Sequence, residues 1–133
     1  MAFMEDDAEA LLARDTHEVV RERVDAGIAI RTDGELRREN CIHYHCRHLD
    51  GFDFGAVLEK VLRNGAYNAF SPTVHGPTVA PEPFLVREWR IAHAATDKHV
   101  KITMPGPMPV TDTVVDTFYS CLLYTSPSPR DRG

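Results

Sequence analysis

Five side chains that can bind a transition metal lie within one short segment of the sequence, and they are Cys41, His43, His45, Cys46 and His48. Thiolate and imidazole are the ligands that zinc prefers. A helix would place the first, third and fifth of them on one face, whereas a strand would group His43 with His45, so no regular backbone directs all five to one point. The remaining histidines are scattered and form no second pair at zinc-finger spacing. The sequence leaves open whether this segment binds zinc or is a packed or solvated His-rich stretch.

A second candidate site is the acidic turn Asp33-Gly34-Glu35. It directly follows Ile28 to Thr32, a short and mostly apolar run that predicts a strand. In open α/β sheets and in (β/α)8 barrels, ligands bind at the carboxyl ends of the strands, which is where this turn lies. The two carboxylates could belong to such a ligand site, or they could form a solvated turn that caps the next helix. Residue types alone do not separate these two interpretations.

Two helices, each followed by a strand, are expected to position these residues. The first helix is predicted from Glu5 to Ala26, with Gly27 ending it, and it precedes the strand at Ile28 to Thr32. The second is predicted from Phe84 to Thr96, after a proline-rich start, and it precedes a strand at Val100 to Met104. Helices that alternate with parallel strands are typical of an α/β fold. Each helix is predicted to bury one apolar stripe. In the first helix the stripe contains Leu12, Val19, Val20 and Val24. In the second helix it contains Leu85, Trp89, Ala92 and either Ala95 or Thr96.

The rest of the chain gives weaker signals. Residues 36–48 predict a short helix or turn, and residues 54–63 fit either a helix or a strand, because apolar spacing and flanking glycines point in different directions. Pro105-Gly106-Pro107 is expected to end the second strand, and a third helix is predicted from Thr111 to Tyr119, capped by Thr111 or Asp112. Residues 121–133 lack apolar periodicity and contain two prolines, so we expect a non-native or disordered tail there.

The composition limits the classes of partner. The chain has 133 residues, a formal net charge of −5 and 43% hydrophobic residues, which predicts one small packed domain. An acidic chain without a basic stripe argues against nucleic acid as a partner. No run of about 18 apolar residues is present, so neither a transmembrane span nor a secretory signal is expected. Three cysteines are too few for a disulfide scaffold, and we therefore expect a reducing, cytoplasmic setting.

Four short motifs in order resemble one known family: Thr32-Asp33-Gly34-Glu35, Glu88-Trp89, Thr96-Asp97-Lys98, and Val100 to Pro107. With the helix that ends in Asp25-Ala26-Gly27-Ile28, the region from about Glu5 to Tyr119 resembles the catalytic barrel of the cobalamin-independent methionine synthases. This resemblance implies a partial (β/α)8 TIM barrel over residues 1–120, restricted to early βα units. It also implies a zinc-dependent S-methyltransferase of methionine biosynthesis, with 5-methyltetrahydrofolate as methyl donor and the thiol of homocysteine as acceptor.

The resemblance also assigns one site within this chain. Glu35 matches the acidic residue that holds the amino group of the amino-acid substrate, and Asp33 is expected to support it from the same turn. The family's zinc ligands would lie beyond Tyr119, which implies that this chain is an inactive fragment without a zinc site. Three alternatives stay open: a relative that opens epoxides with coenzyme M, a small non-catalytic α/β binding domain, and a zinc-binding protein that uses the segment from Cys41 to His48.

Overall fold

The computed structural model describes residues 2–119 and divides them into two compact units, residues 2–41 with 82–104, and residues 42–81 with 105–119. The predicted tail at 121–133, which contains Cys121, lies outside the described residues. None of the described helices is long and apolar enough to cross a membrane. The elements in chain order are α1 (Ala2–Asp25), β1 (Arg31–Thr32), α2 (Cys41–Arg47), β2 (Asp50–Leu62), β3 (Tyr67–Val79), α3 (Phe84–His93), β4 (Val100–Lys101), α4 (Pro107–Thr113) and β5 (Val115–Asp116).

The first unit begins with α1, which ends as predicted at Gly27. Gly27 has a φ of 74° and its N–H donates to the Val24 carbonyl at 2.9 Å, while the Ile28 N–H donates to the Arg23 carbonyl at 3.1 Å. This pair of bonds is a Schellman motif, in which a glycine takes the left-handed conformation at little cost. Val20 is fully buried on α1, and a ring nitrogen of His17 lies 2.9 Å from the Ile91 carbonyl of α3.

The two predicted strands of the first unit form a parallel pair but are shorter than expected. Arg31 pairs with Val100, and Thr32 pairs with Lys101. The predicted strand from Ile28 and the predicted extension to Met104 are therefore wrong in extent. Ile28 and Ile30 are exposed and precede the two paired residues of β1. A strand extends only as far as a partner strand supplies hydrogen bonds, so β1 is short.

Helix α3 begins where predicted, and its buried stripe contains Ala92 as predicted but not Trp89. It ends at His93 rather than at Thr96, and its buried residues are Glu88 and Ala92. The placement of Trp89 in the core is wrong, since this residue is 39% exposed. Trp89 instead donates its Nε1–H to the Val100 carbonyl at 3.3 Å and stacks on His93. Glu88 takes the inward position because Arg37 pairs with its carboxylate there.

The second unit is built on a long antiparallel hairpin, with strand order β2-β3-β5. The segment that the sequence left undecided is thus a strand. Strand β3 was not predicted, and it contains Pro72 and Pro77. Both prolines lie where the β2–β3 register is irregular, and a residue without an N–H is tolerated at such bulges. The core of this unit contains Cys46, Val74 and Val114, with Phe52 and Phe54 packed against them.

The predicted third helix is wrong in position. Helix α4 runs from Pro107 to Thr113, with Gly106 as its N-cap, and the chain then enters β5 at Val115–Asp116. Pro107 supports this earlier start because a proline fits the first helical turn, where its missing N–H would have no partner. Thr111 and Asp112 therefore lie inside the helix, and neither caps it.

Candidate functional site

The acidic turn lies directly after β1, at the same sheet edge as the segment that follows β4. Because β1 and β4 are parallel and in register, Asp33 and Ile102 leave the strands side by side. The Thr103 hydroxyl donates a hydrogen bond to Glu35 Oε1. The structure therefore brings the two predicted site residues, Asp33 and Glu35, next to a residue from the second strand end.

Arg38 connects these residues to one another. Its Nη1 donates to the Thr103 carbonyl at 2.9 Å and to the Thr103 hydroxyl at 3.0 Å, and it lies 3.4 Å from Glu35 Oε1. Its Nη2 donates to Asp33 Oδ2 at 3.2 Å. The Arg38 side chain is only 2% exposed, so this cation is shared among partners inside the protein rather than with water.

The two carboxylates of the turn have different surroundings. The Asp33 side chain is buried and ion-paired with Arg38, and its Oδ1 has no hydrogen-bond partner among residues 2–119. The Glu35 side chain is 39% exposed, and its contacts with Thr103 and Arg38 both involve Oε1. Glu35 is therefore the carboxylate that a ligand can reach, while Asp33 holds the arginine.

The backbone of the turn is left-handed at two successive residues, with φ of 83° at Gly34 and 58° at Glu35. A side chain added at Gly34 would meet Val19 Cγ1 at 2.9 Å, so a glycine is needed there. A glutamate in this conformation costs about 1 kcal/mol or more and persists only when its surroundings hold it. Strain of this kind is common at sites that bind ligands.

A second buried arginine, Arg37, follows the turn and contacts both helices of the first unit. Its Nε donates to Glu9 Oε1 at 2.8 Å, and its Nη1 donates to Thr16 Oγ1 at 3.2 Å and lies 3.8 Å from Glu88 Oε2. The sequence did not predict Arg37, Arg38 or Thr103 as residues of the site. The signals available were an arginine three residues after Glu35 and a hydroxyl just past the second predicted strand.

Chemically, the site offers hydrogen-bond acceptors to a cation. Two carboxylates face one shared guanidinium, and of the two only the Glu35 side chain is partly exposed. An open carboxylate in such surroundings suits a ligand ammonium group, because charge-assisted hydrogen bonds are stronger than neutral ones.

The cluster from Cys41 to His48 does not assemble into a metal site. Most of it forms α2, in which Cys41 is exposed whereas His45 and Cys46 are buried, and a ring nitrogen of His48 lies 2.8 Å from the Tyr44 carbonyl. Within residues 2–119, no group of three or more His, Cys, Asp or Glu side chains is placed to hold a metal ion. The described residues therefore do not fit the zinc that the family resemblance implies.

The two described cysteines are expected to differ in reactivity. Burial raises the pKa of Cys46 to about 11, so its thiolate fraction at pH 8 is very small, and the thiol is also shielded from reagents. We expect iodoacetamide at pH 8 to alkylate the exposed Cys41 at least tenfold faster than Cys46 in the folded protein. Peptide mass spectrometry over time measures both rates, and the same reaction in urea is the control. Equal rates without urea would contradict the buried environment of Cys46.

Comparisons with known proteins point to one family. The family described as "Cobalamin-independent synthase, Catalytic domain" matches residues 1–116. The 5-methyltetrahydropteroyltriglutamate–homocysteine methyltransferase of Xylella fastidiosa (strain M23) is 33% identical over 104 residues, which cover 78% of this chain and 14% of that protein. The methionine synthase of Sulfolobus acidocaldarius is 29% identical over 102 residues, covering 76% of this chain and 29% of that protein.

A solved structure gives the same result at the level of the fold. The B12-independent methionine synthase from Shewanella sp. W3-18-1, in complex with selenomethionine, superposes with a TM-score of 0.73 at 30% identity, and covers 80% of this chain and 32% of that chain. The chain thus spans less than a third of the length of each of these relatives. Since the family match covers 116 of its 133 residues, the chain belongs to the cobalamin-independent methionine synthase family, within that family's catalytic domain.

Proposed function

We propose that this chain forms part of the amino-acid site of an S-methyltransferase that transfers the methyl group of 5-methyltetrahydrofolate to the thiol of homocysteine. The observation that carries the proposal is the Glu35 carboxylate, which is held by Thr103 and Arg38 at the ends of two parallel strands and is still 39% exposed. In the proposed role it accepts a hydrogen bond from the substrate ammonium, and Asp33 supports it by holding Arg38.

The relatives support this choice of substrate. The Xylella protein is named for methyl transfer to homocysteine, and the Shewanella enzyme binds selenomethionine, an amino acid of the same shape as the product of that reaction. Because residues 2–119 do not fit zinc, the proposal gives them a role in binding the amino acid and none in binding the metal. We assign the family's zinc to residues outside this set, and infer that the chain alone lacks methyl-transfer activity.

The proposed fold is part of a (β/α)8 barrel. Strands β1 and β4 are parallel, each follows a helix, and the polar groups of the site lie past their carboxyl ends, where ligands bind in such barrels. A complete barrel needs about 250 residues, so this chain would supply only early βα units, within residues 1–120. We also propose a cytoplasmic reaction on small molecules, in which neither nucleic acid nor a membrane takes part.

Titration with a methyl-transfer product tests the proposed amino-acid site. We expect L-methionine to shift the amide NMR signals of residues 33–38 and 103 in the 15N-labelled chain, whereas 4-(methylsulfanyl)butanoate, which lacks the amino group, should shift them much less. Glu35→Gln should raise the Kd for L-methionine about tenfold or more, because a bond between an ammonium and a carboxylate is replaced by a weaker one. Coenzyme M, an anionic thiol without an amino group, should not bind to these residues.

The matched control is Glu82→Gln, which removes an exposed carboxylate from the same unit but not from the site. Its Kd for L-methionine should equal that of the unchanged chain. Equal shifts from L-methionine and from the analogue without an amino group would contradict the proposal, as would an unchanged Kd in Glu35→Gln.

A further inference from the structure

We propose that Arg38 is a positioning residue, which acts with the Thr103 hydroxyl to hold the Glu35 carboxylate in its ligand-binding orientation. This inference rests on the proposed amino-acid site and goes beyond it, because neither Arg38 nor Thr103 needs to touch the ligand. Its basis is one buried guanidinium that reaches the segments after both strands, Asp33 and Glu35 on one side and Thr103 on the other.

The first argument concerns the conformation that has to be held. Glu35 has a positive φ, which a glutamate rarely adopts, and the turn is closed by the Arg38 N–H donating to the Glu35 carbonyl at 3.0 Å. The side chain of the same glutamate is restrained by Thr103 and by the Arg38 guanidinium. Arg38 thus restrains Glu35 through both its main chain and its side chain.

The second argument concerns how the charge of Arg38 is divided. Its Nη2 pairs with the buried Asp33 carboxylate, while its Nη1 donates two hydrogen bonds to Thr103 and lies 3.4 Å from Glu35. Arg38 thus contacts Asp33 and Thr103 as well as Glu35, and its contact with Glu35 involves only Oε1 of that carboxylate. The Glu35 carboxylate stays available for an ammonium group.

The third argument explains why an arginine is required. The contacts to Asp33 and Thr103 use different nitrogens of one planar group, and they leave in different directions. A lysine has the same charge but a single nitrogen on a flexible chain, so it cannot reproduce this fork. Arg38→Lys therefore preserves the charge of the site and removes the geometry.

The neighbouring Arg37 provides a matched control. Its side chain is also buried, but it contacts Glu9, Thr16 and Glu88 instead of Glu35. Arg37→Lys and Arg38→Lys thus make the same chemical change at adjacent buried positions. If the effect at Arg38 were only a loss of stability, both variants would weaken ligand binding to a similar extent.

The experiment measures the Kd for L-methionine by NMR titration in four variants of the full 133-residue chain. We expect a rise of about tenfold in Arg38→Lys and in Thr103→Val, and a change of less than about twofold in Arg37→Lys and in Thr103→Ser. Thr103→Ser keeps the hydroxyl, and Thr103→Val keeps the shape but removes it, so the pair isolates the hydroxyl group that donates to Glu35 and accepts from Arg38. Equal losses in Arg37→Lys and Arg38→Lys, or equal affinities in the two Thr103 variants, would overturn the proposal.

A ligand-free measurement separates this proposal from the proposed function. The contact between Thr103 and Glu35 predicts nuclear Overhauser effects between the Thr103 methyl group and the Glu35 side-chain protons. We expect them in the unchanged chain and in Arg37→Lys, and expect their loss in Arg38→Lys. Their persistence in Arg38→Lys would overturn the positioning role, even in a chain that binds no L-methionine. If the unchanged chain bound no L-methionine while Arg38→Lys still lost these signals, only the proposed function would be contradicted.

Discussion

Replacing Gly51 with alanine is expected to disrupt the hairpin of the second unit. Gly51 lies in β2 with a φ of 88°, at a register irregularity of the β2–β3 pair. A Cβ there would lie 2.6 Å from the Pro77 carbonyl oxygen and 2.7 Å from that of Gly76. These are backbone atoms of β3, so they cannot rotate away. The left-handed conformation and the overlap together should cost about 3 kcal/mol.

Gly65→Ala is the matched control for this prediction. Gly65 also has a positive φ, 92°, and lies in the same hairpin, but a Cβ there has no atom within 4 Å. Its substitution should therefore cost only the conformational strain, roughly 1 kcal/mol.

Hydrogen exchange read by mass spectrometry distinguishes the two variants. The protection of amides in residues 50–79 should fall roughly a hundredfold in Gly51→Ala and less than tenfold in Gly65→Ala, since 1.4 kcal/mol corresponds to a factor of ten. Similar losses in both variants would show that the close approach of β2 to the Pro77 carbonyl does not exist in solution.

The features that could be predicted from the sequence have local causes. Gly27 stops α1 because a left-handed residue completes its last turn, and Pro83 precedes α3 because a proline fits the start of a helix. Each helix is followed by a strand, and the chain is a mixed α/β protein as expected. The acidic turn after β1 was expected at a carboxyl strand end, and the parallel pairing of β1 with β4 puts it there.

Features that depend on distant partners could not be predicted. The hydrogen bond from Arg38 to Thr103 joins residues 65 positions apart, and it exists only because β1 pairs with β4. The buried position of Glu88 on α3 depends in the same way on Arg37, which comes from another segment. The hydrophobic pattern of α3 instead predicts Trp89 as the residue that faces the core.

The hairpin shows a different limit. Val57, Leu58, Val61 and Leu62 have the spacing of a helical stripe, yet on β2 the first three are exposed and Leu62 alone of the four is buried. The spacing of these residues therefore does not correspond to one buried face. The segment forms a strand because β3 supplies its hydrogen bonds. Strand β3 could not be predicted because it contains Pro72 and Pro77, and no local feature of the sequence indicates that these prolines lie at bulges.

Arg37→Met is expected to destabilise the first unit strongly. The Arg37 side chain is 7% exposed and joins Glu9 and Thr16 of α1 to Glu88 of α3, whose carboxylate is 4% exposed. Removing one partner of a buried ion pair typically costs about 3 to 5 kcal/mol, because the other charge stays buried without it. We expect about 3 kcal/mol here, since the separation of 3.8 Å from Glu88 is long and Glu9 is partly exposed. The fluorescence of Trp89, the single tryptophan, reports urea unfolding of this unit.

Two further variants separate the buried charge from the lost contacts. Arg87 also pairs with Glu9, at 3.2 Å, but its side chain is 62% exposed, so Arg87→Met should change the free energy of unfolding by no more than about 0.5 kcal/mol. Adding Glu88→Gln to Arg37→Met replaces the buried carboxylate that faces position 37 with a neutral amide, and should restore about 1 kcal/mol or more. If the double variant were less stable than Arg37→Met alone, the cost would come from lost packing of the guanidinium. The buried Arg37–Glu88 pair would then not be what stabilises the first unit.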